Sequence, residues 1–498
     1  MNPKKLKILL MEPLYPSKAA WGSVKSQKGY LPPMGMISIY TRLKYRGYDV
    51  EFLDTILEDL HEASLAARLR SARYDVVALP VYTPTADYAF ATGAFVKKVL
   101  PDCKLVMGNI HVTTMPELSM QQCPEIDFII LQEGENTLEE LVLSLAGGDN
   151  NRSGIKGLVY RDGKRIAVNP PRGFIDDLDS LPPGLYSDID LKRYVPHPSQ
   201  YVTLPSYPFI TQRGCPYCCT YCGASIISGK KARRYTPERV IEELRVLKDE
   251  KGARGIYFQD STFTMNRAYI MKLMDLMIKA KLGLKWICNT RADTVDPELL
   301  DAMYKAGGRK IVLGIESGNQ ASLDIVQKNT TVEKQTRGVE WIRKAGFKYV
   351  TSFIICLPGE TEEMVRNTIR YAKTLNAEMA MFYLPVPYPG TALYERCKAD
   401  GGLRQDAKWS DFLSIDFDNP VYINPNFGIE GMKYWYKRAF LEYYGSPRIW
   451  LANLRSMDTT EDFRRLMRGG QALISLVAKN AFFYIRHQFE MLASRKKR

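Results

Sequence analysis

Arg213-Gly214-Cys215-Pro216-Tyr217-Cys218-Cys219-Thr220-Tyr221-Cys222 packs four cysteines into one short loop, and Cys215, Cys219 and Cys222 carry the spacing C-x3-C-x2-C. Thiolates are soft ligands that favour iron-sulfur clusters or zinc. Three on one loop bind three irons of a cubane and leave the fourth iron open, whereas structural zinc wants a fourth protein ligand nearby. None stands close, since the nearest histidine is His197, eighteen residues upstream between Pro196 and Pro198. Cys218 fits no ligand position and reads as a bystander, because buried unligated cysteine is common.

Outward from this loop the chain alternates strand-length apolar runs with helical-period segments. Runs at 208–211, 255–258, 285–288, 311–314, 350–355 and 379–384 make six βα units, which favours a partial (β/α)6 barrel over residues 201–400. Upstream, runs at 8–11, 50–53, 76–79, 104–107 and 128–131 alternate with helical segments at 34–46, 86–100 and 137–145. Residues 1–150 therefore read as a doubly wound parallel α/β sheet with a ligand crevice at the strand carboxyl ends. Residues 151–200 hold a hairpin around Asp162-Gly163 and a proline-punctuated linker at 176–184. From about residue 401 to 498 the alternation gives way to a helical, aromatic and basic region.

Hydrophobic residues at 45% and charged residues at 25% are ordinary globular values and exclude a disordered chain or a multi-span membrane protein. Nine cysteines, with four crowded between 215 and 222, and the absence of a secretory pattern before the first strand lead us to expect the reducing cytoplasm. The charge-free stretch 469–478 is far below the ~20 residues that cross a bilayer. Residues 429–498 carry 14 Lys and Arg against 6 Asp and Glu, so an acidic partner should meet this end. One reading of 472–492 and the basic 495–498 is an amphipathic surface for anionic lipid or a hydrophobic substrate, hence peripheral membrane contact; the other is a helical cap over the barrel with a frayed tail. A basic face on a known nucleic-acid module is not found, so no nucleic-acid partner is expected.

C-x3-C-x-aromatic-C at the mouth of a first barrel strand, with Tyr221 as the aromatic residue, resembles the radical S-adenosylmethionine (SAM) superfamily. The resemblance implies a 4Fe-4S cluster on Cys215, Cys219 and Cys222 whose open iron chelates SAM, and one-electron cleavage of SAM to a 5'-deoxyadenosyl radical. It also implies SAM contacts downstream: Asp260 and Ser261 at the amino end, Arg291 at the carboxylate, Glu316 at the ribose hydroxyls, and Pro358 and Gly359 near the adenine. Ile355-Cys356 stands where relatives commonly have glycine.

An α/β domain before such a barrel resembles the cobalamin-binding radical SAM proteins, a group of methylases and a ring-forming enzyme. Matching stretches lie at strand carboxyl ends: Leu31-Pro32-Pro33-Met34-Gly35, Thr83-Pro84-Thr85, Gly108-Asn109-Ile110-His111 and Glu133-Gly134-Glu135. Thr83, Thr85, Gly108, His111, Glu133, Gly134 and Glu135 are thereby implied at cobalamin, with His111 at the crevice edge, and Asn109 replaces the family's second glycine. Asp59-Leu60-His61 echoes a cobalt-ligating D-x-H, but it follows the second strand and lacks the later glycine, so His61 reads as a surface residue.

The function expected is cobalamin-dependent radical SAM modification of an unactivated carbon, by C-methylation or ring formation, on a hydrophobic small molecule, with a flavodoxin or ferredoxin as electron donor. A methylthiotransferase needs a second cluster on three N-terminal cysteines, and only Cys103 and Cys123 precede residue 200. A non-catalytic iron-sulfur or membrane-associated scaffold is the alternative from another class.

Overall fold

The computed structural model describes residues 6–15, 29–149, 151–413, 418–455, 457 and 467. Its first sheet contains β1 (Lys7–Met11), β2 (Asp49–Leu53), β3 (Val76–Pro80), β4 (Lys104–Gly108), β5 (Phe128–Ile130), β6 (Leu158–Asp162) and β7 (Arg165–Val168), in the order 2-1-3-4-5-6-7. The strands β1 to β5 are parallel, and the hairpin β6–β7 extends the β5 edge antiparallel. Ile8, Leu9 and Leu10 are all fully buried, as a central parallel strand covered on both faces requires. Their alternation divides them: Ile8 and Leu10 join Ile37 and Leu141, while Leu9 and Met11 join Leu65 and Val96 on the other face. The first of these cores runs on through Tyr186, Leu191 and Tyr194 to Tyr207 and Phe258 of the second sheet.

That second sheet comprises β8 (Ser206–Phe209), β11 (Gly255–Phe258), β12 (Lys285–Thr290), β13 (Gly308–Glu316), β14 (Lys348–Ile354) and β15 (Met379–Tyr383), all parallel, in the order 15-14-13-12-11-8. This is the expected partial (β/α)6 barrel, open between β8 and β15. A short antiparallel ribbon, β9 (Gln212–Arg213) with β10 (Arg233–Arg234), brackets the cysteine loop. The first barrel run ends earlier than its apolar pattern implied, because the N–H groups of Thr211 and Gln212 turn to the Asp260 carboxylate at 3.0 and 2.8 Å.

The helix Gly428–Tyr444 covers the free edge of β15. The Tyr444 hydroxyl accepts from the Ala380 N–H at 3.2 Å and lies 3.0 Å from its carbonyl, and Asn453 donates to the Glu378 carbonyl at 3.1 Å. Side chains thus occupy hydrogen-bonding groups that an open edge strand would otherwise present. The described part of the C-terminal region flanks the open side of the barrel; residues 472–492 and 495–498 lie outside the described residues. No helix among the described residues is long and apolar enough to cross a membrane.

The segment 176–184 is not a free linker. Leu178 and Leu181 are buried, Asp179 accepts from the Thr236 N–H at 3.1 Å, and Glu243 accepts from the Gly184 N–H at 2.9 Å. Its two leucines supply the apolar anchors that a reading of its prolines and aspartates overlooked.

Candidate functional site

The cysteine loop is fastened at both ends. Gly214 has φ +91°, and a Cβ there would lie 2.2 Å from the Lys231 carbonyl oxygen, so only glycine fits. The Cys215 N–H donates to the Gly229 carbonyl at 3.0 Å. Farther along, Thr220 donates to the Val326 carbonyl at 3.0 Å and accepts from the Leu393 N–H at 2.9 Å. Cys215 is buried and Cys219 and Cys222 are half-buried, while Cys218 is exposed, which corrects its reading as a buried bystander. The Ala224 N–H points to the Cys222 sulfur at 3.5 Å.

Burial pushes the Cys219 thiol up, Lys328 and Arg291 draw it down, and Glu316 and Cys215 push it up again. Burial likewise raises Cys222, opposed by the Ala224 N–H and reinforced by Cys219 and Cys215. Three mutually repelling thiolates on one loop are a donor set suited to iron. Among the described residues no group of three or more His, Cys, Asp or Glu side chains is arranged as the ligands of a single metal ion. Three free thiols at C-x3-C-x2-C spacing on one fastened loop are the donor chemistry that a cluster held by three thiolates takes.

Glu316 ends the fourth barrel strand in a left-handed conformation, φ +66°, where the pairing with β14 breaks register between Gly314 and Glu316. Such strain persists only where the surroundings enforce it. Here Tyr221 donates to Glu316 Oε1 at 2.7 Å and buried Lys328 pairs with the same oxygen at 2.9 Å. Arg291 grips Asp293 at 2.9 and 2.7 Å, donates to the Lys328 carbonyl at 2.7 Å and lies 4.0 Å over the Tyr217 ring. Its Nη1 is buried without a partner. Asp260 Oδ1 accepts from the Thr211 N–H and hydroxyl and the Gln212 N–H, whereas its Oδ2 is buried and unpartnered. Burial pushes this carboxyl up to about 7. Ser261 beside it is exposed.

Pro358 is buried and Gly359, at φ +86°, is exposed at the end of the fifth strand. Cys356 adopts φ +63°, the conformation that a glycine there would take readily. Asn424, fully buried, donates to the carbonyls of Cys356 and Leu357 at 3.3 and 2.6 Å and holds this turn.

The first-sheet stretches line two cavities. One, of about 230 Å³, is bounded by Gly108, Asn109, Glu133, Gly134, Glu135 and, from the barrel side, Arg213. The other, of about 560 Å³, is a crevice whose walls include Tyr82, Thr83 and Thr85 of the first sheet, Gly223 and Ile227 behind Cys222, and Tyr388 and Pro389 after β15. Asn109 borders both. At φ +83° and ψ −175° it occupies a region nearly reserved for glycine, and its side chain accepts from the Ile110 N–H at 2.6 Å. The position at which the resemblance leads one to expect glycine thus has a glycine-like backbone conformation in this chain.

Glu133 and Glu135 reach the smaller cavity with their charges engaged. Arg233 grips Glu133 at 2.8 and 2.9 Å; Arg213, two residues before Cys215, pairs with Glu135 at 2.8 Å, which also accepts from Ser38 at 2.8 Å. Burial pushes the Glu135 carboxyl up, but the Arg213 charge and hydrogen bond carry it below its ordinary value. His111 does not stand at the crevice edge as expected. It is fully buried, with its ring 4.6 Å from that of Trp409, Nδ1 3.3 Å from the Thr83 hydroxyl and Nε2 unpartnered. Burial lowers its pKa to about 4. His61 is exposed before the helix Glu62–Ala72.

Sequence reading missed Lys328, Arg213, Arg233, Asn424 and Trp409. The two arginines carried a signal, since they flank the cysteine loop as unpaired-looking charges; the others are brought in by packing from distant segments.

Residues 209–372 match the radical SAM superfamily and residues 22–142 match the B12 binding domain. An uncharacterized methyltransferase of Pyrococcus horikoshii is 32% identical over 454 residues, which is 91% of this chain and 95% of that protein. The anaerobic magnesium-protoporphyrin IX monomethyl ester cyclase of Rubrivivax gelatinosus is 28% identical over 459 residues, 88% of this chain and 79% of its own. The fold is shared with the radical SAM methyltransferase TsrM from Kitasatospora setae, solved with cobalamin and a 4Fe-4S cluster bound: TM-score 0.68 at 18% identity, covering 88% of this chain and 89% of that one. The cysteine loop at the barrel mouth, the preceding doubly wound sheet and these matches agree, and the chain belongs to the cobalamin-binding radical SAM family.

Proposed function

We propose that this enzyme methylates an unactivated carbon of a hydrophobic small molecule held in the 560 Å³ crevice. The observation that carries the reading is the crevice wall: first-sheet loops, the turn behind Cys222 and the loop after β15 all contribute to it, so one molecule there touches both halves of the protein. The relative matched over 95% of its length is described as a methyltransferase. Ring formation is the second reading, favoured by the cyclase relative.

When bound, the cluster with SAM supplies a carbon-centred radical and cobalamin supplies the methyl group. Cys215, Cys219 and Cys222 would hold the cluster. Glu316, with one oxygen fixed by Tyr221 and Lys328, would offer the other to the ribose hydroxyls. The free Nη1 of Arg291 would take the SAM carboxylate, and Asp260 Oδ2 with Ser261 the amino end. Pro358 and Gly359 would border the adenine. Gly108, Glu133, Gly134 and Glu135 would enclose part of cobalamin at the smaller cavity, and Thr83 and Thr85 would face it from the crevice, with His111 orienting Thr83 from behind. The electron would come from a flavodoxin- or ferredoxin-type donor, and nine free cysteines suit a reducing cytoplasm. The basic residues 495–498 would give peripheral contact with anionic lipid.

Anaerobic reconstitution with iron, sulfide and cobalamin, followed by turnover with deuteromethyl SAM over a panel of lipid, isoprenoid and tetrapyrrole substrates, tests the reading. A product carrying the labelled methyl supports it. An unmethylated product with a new ring supports the second reading, and SAM cleavage by a protein that retains no cobalamin overturns methyl transfer.

A further inference from the structure

Arg213 and Arg233 face each other across the ribbon β9–β10, the stem from which the cysteine loop springs. Both side chains end on glutamates of the first sheet's half. Arg233, 3% exposed, grips the two oxygens of Glu133 at 2.8 and 2.9 Å and donates to the Ser228 carbonyl at 2.7 Å, where the chain returns from Cys222 to the stem. Arg213 reaches Glu135 at 2.8 Å, Glu133 at 3.4 Å and the Ser38 hydroxyl at 3.0 Å, and Ser38 donates in turn to Glu135 at 2.8 Å. Two cations and two anions thus alternate across the join between sheet and barrel, and burial makes each pair costly to break.

This clamp meets the cluster loop and the smaller cavity at once. Between Arg213 and Cys215 stands Gly214, wedged against the Lys231 carbonyl oxygen, so a shift of Arg213 carries to the first thiol. On the other side of Arg213, Gln212 gives its N–H to Asp260 at 2.8 Å. The cavity of about 230 Å³ has Ser38, Glu133, Glu135, Arg213 and Ser228 in its wall, which are the clamp itself and the loop's return. A molecule there restrains the same side chains that set the stem.

We propose that Arg213 and Arg233 are positioning residues of the cysteine loop, held from the first sheet by Glu135 and Glu133, and that they couple the two cofactors. Cobalamin in the smaller cavity tightens the hold on the cluster, and the cluster tightens the hold on cobalamin. Ordering the clamp costs conformational entropy, and whichever group binds first bears that cost for both. The coupling is therefore positive, and equal in the two directions. The inference rests on the reading that the smaller cavity takes part of cobalamin and that Cys215, Cys219 and Cys222 hold the cluster.

The test uses the full chain under anaerobic conditions, cluster-free and cluster-loaded, titrated in the dark with methylcobalamin and read by ultrafiltration. We expect the dissociation constant of wild type to be at least about fivefold lower with the cluster in place. Glu135→Gln should bring that ratio to one, whereas Glu139→Gln, which alters the Arg42 pair within the first half alone, should leave it. A residue that only lines the cavity would weaken both states equally, so a ratio that survives Glu135→Gln, or a ratio of one in wild type, would overturn the proposal. Iron loss to a chelator, measured on loaded protein with and without methylcobalamin, gives the reverse reading. Cobalamin should slow that loss in wild type and not in Glu135→Gln, and equal slowing in both would overturn the proposal. Arg213→Lys, which keeps the charge but not the fork of donors, replaces Glu135→Gln if melting curves show that variant unfolded. No uptake of iron, or no binding of methylcobalamin in either state, would remove the cofactor reading itself and the proposal with it, while tight and equal binding in both states removes the coupling alone.

Discussion

The Tyr221 hydroxyl, inside the cysteine loop, donates to the Glu316 carboxylate at the end of the fourth barrel strand at 2.7 Å. This bond ties the aromatic residue of the cysteine motif to a backbone held at φ +66°, and Lys328 completes the pair at 2.9 Å. Cluster loop and the carboxylate proposed to meet the ribose are thus one mechanical unit.

Glu316→Ala should weaken SAM binding by about 2–3 kcal/mol while iron content stays full, through loss of charge-assisted hydrogen bonds. It also strands Lys328 as a buried charge, so the melting temperature should fall as well. Equilibrium dialysis with labelled SAM reads the first effect. Unchanged affinity would reduce Glu316 to a strand-end residue.

Alanine at Cys215, Cys219 or Cys222 should each release the cluster, whereas Cys218→Ala should retain it, because three thiolates are the fewest that anchor a site-differentiated cubane. Iron analysis and thiolate-to-iron absorbance across the four variants decide this. Full iron in Cys219→Ala would break the ligand assignment.

Much of this architecture was legible because its signals are local. The runs at 8–11 and 76–79 are buried on both faces, so they read as continuous apolar strands, and the C-x3-C-x2-C spacing lies within one loop. Lys328 and Asn424 were not legible, since each meets its partner across 12 and 67 or more residues through packing that no periodicity encodes. The apparent departures at Asn109 and Cys356 misled for a related reason. Both residues hold a positive φ, +83° and +63°, that glycine takes readily, with Asn109 bonding its own turn and Asn424 bonding that of Cys356. His111 was misplaced because Trp409, nearly three hundred residues away in sequence, covers it.

Arg213→Met should leave Glu135 buried without its charge partner and cost about 3–5 kcal/mol of stability, the usual penalty for breaking a buried pair. Thermal denaturation of the cluster-free protein isolates this effect from iron loss. A melting temperature equal to wild type would show that the contact between sheet and barrel is not held there.

Glu12 makes stability fall as pH rises. Its folded pKa of about 8 exceeds the ordinary 4.5, so the folded state keeps a proton that the unfolded chain releases. The stabilisation is full below about pH 4.5 and is lost progressively as pH climbs towards 8, and Asp260 and Glu360, both raised to about 7 mainly by burial, act with the same sign. Melting curves from pH 5.5 to 8.5 should decline, and Glu12→Gln should flatten the decline. An identical slope in the variant would show that Glu12 is ionised throughout.

Cys215, Cys219 and Cys222 are proposed to hold a cluster that cleaves SAM in this cobalamin-binding radical SAM protein. The most direct test of this assignment is 5'-deoxyadenosine formation by mass spectrometry, in protein reconstituted anaerobically with cluster and cobalamin and reduced in the presence of SAM. Wild type and Cys218→Ala should form 5'-deoxyadenosine, and Cys219→Ala none above background. No product from fully loaded wild type, or equal product from Cys219→Ala, would contradict the assignment.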